Sequence, residues 1–162
     1  MALYQSKAIK AGRPAATAVE AFCPVVVVGE YLTATGLTAN DVIEMVAFPA
    51  NTVPIDVTLV CEDLDTGGSP AIALDVGLLS GSYASTASGR TCGAQFLSAS
   101  NIGQAGGMAS ANVAAGLLLG HSSSDRSLGI KVGTAAATLA TGKLIRMVAT
   151  FAPIGYGMVA AS

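Results

Sequence analysis

The sequence predicts an all-β protein: a jelly-roll-like β-sandwich of about eight antiparallel strands, preceded by an extended N-terminal arm. Two observations carry that prediction. Apolar residues alternate with polar or small ones in Val53–Glu62, "VPIDVTLVCE", and again in Ala71–Leu79, "AIALDVGLL". Short apolar runs also recur along the chain, separated by segments rich in Gly, Asn, Asp and Pro. A strand with one face in a core and one outside gives two-residue alternation, whereas a helix spaces its apolar residues three and four apart.

Residues 1–20 are small, polar and weakly patterned, and Pro14 disfavours helix just before it. They are expected to form the arm, with residues 21–162 as a single sandwich domain. The first strand is expected within "FCPVVVVGEYLT", which is β-branched and aromatic and ends at the turn "ATGLTAND". "DVIEMVAF" follows as the second and stops at Pro49. In the third strand Val53, Ile55, Val57, Leu59 and Cys61 are expected on one face, with Asp56, Thr58 and Glu62 on the other. In the fourth, Ile72, Leu74, Val76 and Leu78 oppose Ala71, Ala73, Asp75 and Gly77. Between them "EDLDTGGSP" reads as a turn in which Asp opens, Gly67 and Gly68 supply positive φ, and Pro70 closes.

The middle is less patterned. "SGSYASTASGR" reads as a loop, and "CGAQFLSASNIGQAGG" fits either a short helix or an irregular strand. "ANVAAGLLLG" reads as a strand, "HSSSDRS" as a loop and "LGIKVGT" as a strand. "LIRMVATFAPI" is the last, with Ile145, Met147, Ala149 and Phe151 inward and Arg146 and Thr150 outward. Several short strands with turn signals between them fit a sandwich or jelly roll.

Composition restricts the function classes. A chain of 162 residues buries roughly two thirds of its unfolded surface, so no disulfide or metal is needed to hold it. Charged residues make up only 11%, against a usual share of about 25%. Gly93–Ser124 contains no Asp, Glu, Lys or Arg. Free monomers keep mixed charge on their surfaces for solubility, so this shortage points to a surface that meets other subunits. The Val25–Val28 run is far short of a membrane span, and no signal peptide is expected. With a net charge of −2, no Lys/Arg cluster and no Trp, the footprint of a nucleic-acid binder is missing. Cys23, Cys61 and Cys92 are odd in number and far apart, which argues against a disulfide framework or a zinc site. Cys23 and Cys61 lie in apolar runs, where a free Cys acts as a small buried hydrophobe.

No catalytic signal survives its context. Asp65-Thr66-Gly67 matches the aspartic-protease triplet, but Gly68, Ser69 and Pro70 follow it as in an ordinary hairpin. Glu62, Asp63 and Asp65 lack EF-hand spacing for calcium. His121 lies beside Ser and Asp in "HSSSDRS", but a triad needs groups converging from separate elements, and no GxSxG elbow exists. Gly155-Tyr-Gly157-Met-Val-Ala160 mimics a dinucleotide fingerprint, which works only where a helix begins, and none is expected so close to Ser162. No catalytic residue, cofactor or metal is expected.

The order "DVIEMVAFPANTVPIDVTLVCEDLD…AIALDVGLLSG", then "DRSLGIKVGTAAATLATGKLIRMVATFAPI", resembles the small capsid decoration, or cement, proteins of tailed bacteriophages with jelly-roll folds. It does so over roughly residues 40–153. The resemblance implies a non-enzymatic virion protein, made in the bacterial host cytoplasm and bound to the outer capsid surface. There it would tie major capsid protein subunits together as a homodimer or homotrimer, with no nucleic-acid or membrane partner. Lys7, Lys10 and Arg13 on the arm are the expected contacts to acidic capsid patches. Two other readings stay open: another virion part such as a tail, fibre-base or head-fibre anchoring domain, and a small oligomeric binding domain unrelated to virions.

Overall fold

The computed structural model describes residues 3–5 and 23–154. Nine strands form among them: β1 Leu3–Gln5, β2 Val25–Leu32, β3 Val42–Phe48, β4 Thr52–Cys61, β5 Ala73–Leu78, β6 Leu97–Ser100, β7 Gly107–Ser110, β8 Arg126–Thr134 and β9 Leu144–Pro153. They make a five-stranded sheet in the order β1-β3-β8-β5-β6 and a four-stranded sheet in the order β2-β9-β4-β7. The pairs are antiparallel except β1 with β3, which run parallel with Tyr4 opposite Ile43. The architecture is the expected all-β sandwich.

The core lies between the sheets. The stacked rings of Phe48 and Phe151, with centroids 4.7 Å apart, join β3 to β9 across it. Val57, Leu59, Ile130, Ile145, Met147 and Phe96 are fully buried around them. Alternation in β9 places Ile145, Met147, Ala149 and Phe151 inward and exposes Arg146, as its sequence predicts. β2 passes close against β3 at Gly29. A Cβ on Gly29 would sit 2.3 Å from the Met45 carbonyl oxygen, so only glycine fits there.

Four local readings are corrected. In β4 the expected face holds only for Val57, Leu59 and Cys61. The pairing with β9 slips between Pro54 and Asp56, so Thr52 and Pro54 point inward while Ile55 is 47% exposed. Pro54 has no N–H to donate, and a bulge at that point absorbs one residue and resets the faces. In β5 the second face is not solvated either, since Asp75 and Gly77 are buried. The Ala111–Gly120 segment is not a strand. β7 precedes it, and Ala114–Leu117 forms a short helix, α1, whose Gly116 lies so close to Phe96 and the Gln95 carbonyl that no Cβ fits. Gly67 and Gly68 do not take positive φ. Gly67 is instead required for space, because a Cβ there would meet Ala137 Cβ at 2.8 Å. The ambiguous middle segment resolves into β6 followed by a single 3-10 turn at Ile102–Gln104.

Candidate interface

The outer faces of the two sheets differ in what covers them. On the five-stranded sheet the chain supplies its own roof. The Ser80–Gln95 segment lies flat enough that a Cβ on Gly77 would strike Gln95 Oε1 and the Gly93 carbonyl oxygen. Glu44, on β3, points into this layer and is fully buried. Its carboxylate pairs with Arg90 at 3.0 Å and accepts hydrogen bonds from the Ala84 N–H, Gln5 Nε2 and the Ser127 hydroxyl. Arg90 in turn donates to the Ser80 and Ser85 carbonyls and to Ser127 Oγ. Val42, Leu79 and Cys92 form a small apolar cluster in the same layer. Beside it, Lys131 and Asp75 pair at 2.8 Å.

No equivalent roof lies over the four-stranded sheet among the described residues. Strand register lays out its outer side chains in rows. Val28 stands opposite Val148, Val148 opposite Thr58, and Thr58 opposite Ser110. The next row is Glu30, Arg146, Val60 and Met108, and beyond it Leu32 faces Leu144. Val26, Val28, Leu32 and Met108 are 58%, 47%, 44% and 69% exposed. The polar groups within this field satisfy one another. Arg146 Nε donates to Glu30 Oε1 at 2.8 Å, the Thr58 hydroxyl donates to Asp56 at 2.9 Å, and Thr58 and Ser110 share a hydrogen bond. The result is a largely apolar surface on which Glu30 and Arg146 neutralise each other, while the Asp56 carboxylate is held by the Thr58 hydroxyl. A second exposed apolar site is the end of α1, where Leu117 and Leu118 project into solvent.

The groups singled out from the sequence do not converge. Asp65 is buried and holds a turn: its carboxylate accepts five backbone N–H groups, from Gly67, Ala71, Ile72, Ala137 and Thr138. Desolvation pushes its pKa up, but the hydrogen bonds from Thr138, Ala71, Ala137 and Gly67 together outweigh it and hold the carboxyl well below the usual range. Asp63 accepts the Asp65 N–H, and Glu62 accepts the Leu144 N–H on the protein surface. No group of three His, Cys, Asp or Glu side chains suited to a metal ion occurs among the described residues. His121 is exposed, and Asp125 is turned to the Ala50 N–H at 2.8 Å. Cys61 and Cys92 are buried; Cys23 precedes β2 and is exposed, contrary to the sequence reading. Lys7, Lys10, Arg13 and Gly155–Ala160 lie outside the described residues.

Sequence reasoning missed the bare face. Four consecutive valines, Val25–Val28, carry no alternation, so nothing in that run separates inward from outward positions. Only the register against β9 does.

Among solved structures, the fold is similar to a chain in the capsid of Ralstonia phage GP4, with 34% sequence identity and a TM-score of 0.88. That match covers 96% of this chain and 100% of the other. It is also similar to a chain of the cyanophage Pam1 capsid asymmetric unit, with 28% identity and a TM-score of 0.67, over 88% of this chain and 94% of that one. No protein-family model and no curated protein matches the chain.

Proposed function

We propose, from the premise that the chain belongs to the family of capsid proteins represented in the capsid of Ralstonia phage GP4, that it binds the outer surface of an assembled phage shell and stabilises contacts between major capsid protein subunits. That it is a phage structural protein follows from the family itself. The observation that carries the finer reading is the end-to-end match to a capsid chain that is itself one small sandwich, with no part left over. A unit that closes its own core can be added to a shell as a finished piece. Whatever binds the assembled state alone stabilises it by mass action, and an oligomer that touches several shell subunits gains further from effective concentration. The low charge content and the bare apolar face suit a protein that works by adhesion.

Shells assembled without this protein test the reading. Purified protein added to them is expected to co-sediment, to appear as outer density in particle images, and to raise the temperature at which packaged DNA escapes. Protein that stays in the supernatant at micromolar concentration would overturn it.

Within this reading, Lys7, Lys10 and Arg13 are assigned to acidic patches of the shell. Truncating residues 2–14 would be a poor test, because it would also remove β1 and the Gln5–Glu44 hydrogen bond at 2.9 Å. Reversing the three charges to Glu leaves β1 in place. The triple variant is expected to lose shell occupancy, most clearly at low salt; undiminished occupancy would rule the arm out.

A further inference from the structure

We infer that the open edge of β2 is a strand-acceptor site, taken on the particle by an extended, uncharged segment of a shell subunit. The inference rests on the shell-binding reading and adds to it the means of attachment, which is main-chain pairing.

Each sheet ends in two edge strands, and β2 differs from the other three. β1 has three residues and β6 and β7 have four each, whereas β2 has eight. Its register against β9 runs from Val25 to Leu32 without a slip. Proteins blunt exposed edges with short strands, bulges, lysine or proline, and β2 shows none of these devices. Its one charge, Glu30, is taken by Arg146. The Thr33 N–H donates to the Lys143 carbonyl in the continuation of the same register. Odd-numbered residues of β2 therefore pair with β9, and the backbone N–H and C=O groups of Val26, Val28, Glu30 and Leu32 face the other way. Among the described residues no strand meets them. Val25 and Val27 lie on the inward side and yet are only half-buried, as befits a strand that lacks a neighbour.

The open place is one strand wide. β2 lies over β3 at Gly29, and the Tyr4 ring of β1 packs edge-on against Tyr31 of β2 at 6.0 Å. β1 extends one strand past β3, so it lies beneath the place beside β2. A second copy joined β2 to β2 in one continuous sheet would bring its own β3 into the space that β1 holds. A single extended segment meets no such obstacle. What answers a row of backbone donors and acceptors is another main chain. Its side chains would lie beside Val26, Val28 and Leu32 outside and beside Val25 and Val27 inside, so an uncharged, apolar segment fits both rows.

Hydrogen exchange of the full chain, free and bound to shells assembled without it, tests this. The amides of Val26, Val28, Glu30 and Leu32 are expected to exchange fast in the free protein and to become protected on shells. Val28→Pro removes an N–H that β9 does not use and sets a ring on the open edge. It is expected to fold and to bind shells about tenfold or more weakly. Val28→Thr, which keeps that N–H, is expected to bind like the wild type. Should Val28→Pro fail to fold, Val26→Pro carries the same expectation nearer the start of the strand. Edge amides already protected in the free protein would overturn the inference, because residues 6–22 or a second copy would then fill the place. Binding lost equally with Val28→Thr would overturn it too, by assigning the contact to side chains. A wild type that binds shells no better than the proline variants do, but still co-sediments, sinks this inference alone. A wild type that does not co-sediment sinks the shell-binding reading and this inference with it.

Discussion

Glu44 and Arg90 form an ion pair at 3.0 Å although both side chains are withdrawn from solvent. One sits in the middle of β3 and the other near the end of a Ser- and Gly-rich loop. The pair is worth having only because the other lone pairs of the carboxylate and most of the guanidinium protons are also used, by Ala84, Gln5, Ser80, Ser85 and Ser127. It fixes the loop as the roof of its sheet.

Removing both partners is therefore expected to cost less than the sum of removing each alone. Arg90→Leu should cost about 3–5 kcal/mol, because it strands a buried carboxylate. The double variant Glu44→Leu/Arg90→Leu should fall short of the summed single losses by about 0.5–3 kcal/mol in urea unfolding. Limited proteolysis should cut Arg90→Leu first within residues 80–95, and strictly additive losses would show that the pair is not coupled.

Asp65 makes the fold's stability pH-dependent. Its folded pKa lies below the ordinary Asp value of about 3.9, so its contribution is complete above about pH 4. The contribution is lost as the pH falls from there through the depressed folded value. Asp65→Asn should lower the melting temperature at neutral pH, since an amide turns N–H against some of the N–H groups that now point at a carboxylate. It should also flatten the decline in stability between about pH 4 and pH 2. An unaltered acid slope would remove Asp65 from this role.

Gly29 is expected to resist substitution for a steric reason. Alanine would place its Cβ 2.3 Å from the Met45 carbonyl oxygen, and backbone on both sides must shift to relieve it. A loss of roughly 1–3 kcal/mol or more is expected from such overpacking. Gly68→Ala, with no atom within 4 Å of the new Cβ, should stay within about 0.5 kcal/mol of the wild type. Chemical denaturation of the two variants side by side checks the contrast.

The thiols should separate by reactivity. Burial pushes the Cys61 thiol up to about 11, with the nearby Asp63 charge adding to it, and burial pushes Cys92 up to about 12. Cys23 is exposed. A colorimetric thiol reagent at pH 8 should label one cysteine quickly in the native protein and all three after denaturation. Rapid native labelling of two or three would contradict the burial.

Much of this was legible in the sequence wherever a single period ran unbroken. β9 alternates from Ile145 to Phe151, and its inward and outward residues could be assigned from spacing alone. β4 could be read only as far back as Val57, because the slip at Pro54 breaks the period without breaking the apolar pattern. The Ala111–Gly120 run reads as a strand because it is apolar throughout; its short helix follows from packing of Gly116 against Phe96, a contact no local pattern encodes. The Glu44–Arg90 pair joins residues 46 positions apart, and the bare face owes its composition to pairing of β2 with a strand more than 100 residues later. Pairings of this kind appear only when the chain is folded.

The five hydrogen bonds at Asp65 tie the turn at residues 65–72 to residues 137 and 138. This clasp closes a loop of some seventy residues much as a covalent crosslink would, by holding together points that are remote along the chain. Unlike a disulfide, it contains no bond that a reductant can cut. The same closure therefore persists in reducing and oxidising surroundings, and strong acid is the condition that opens it.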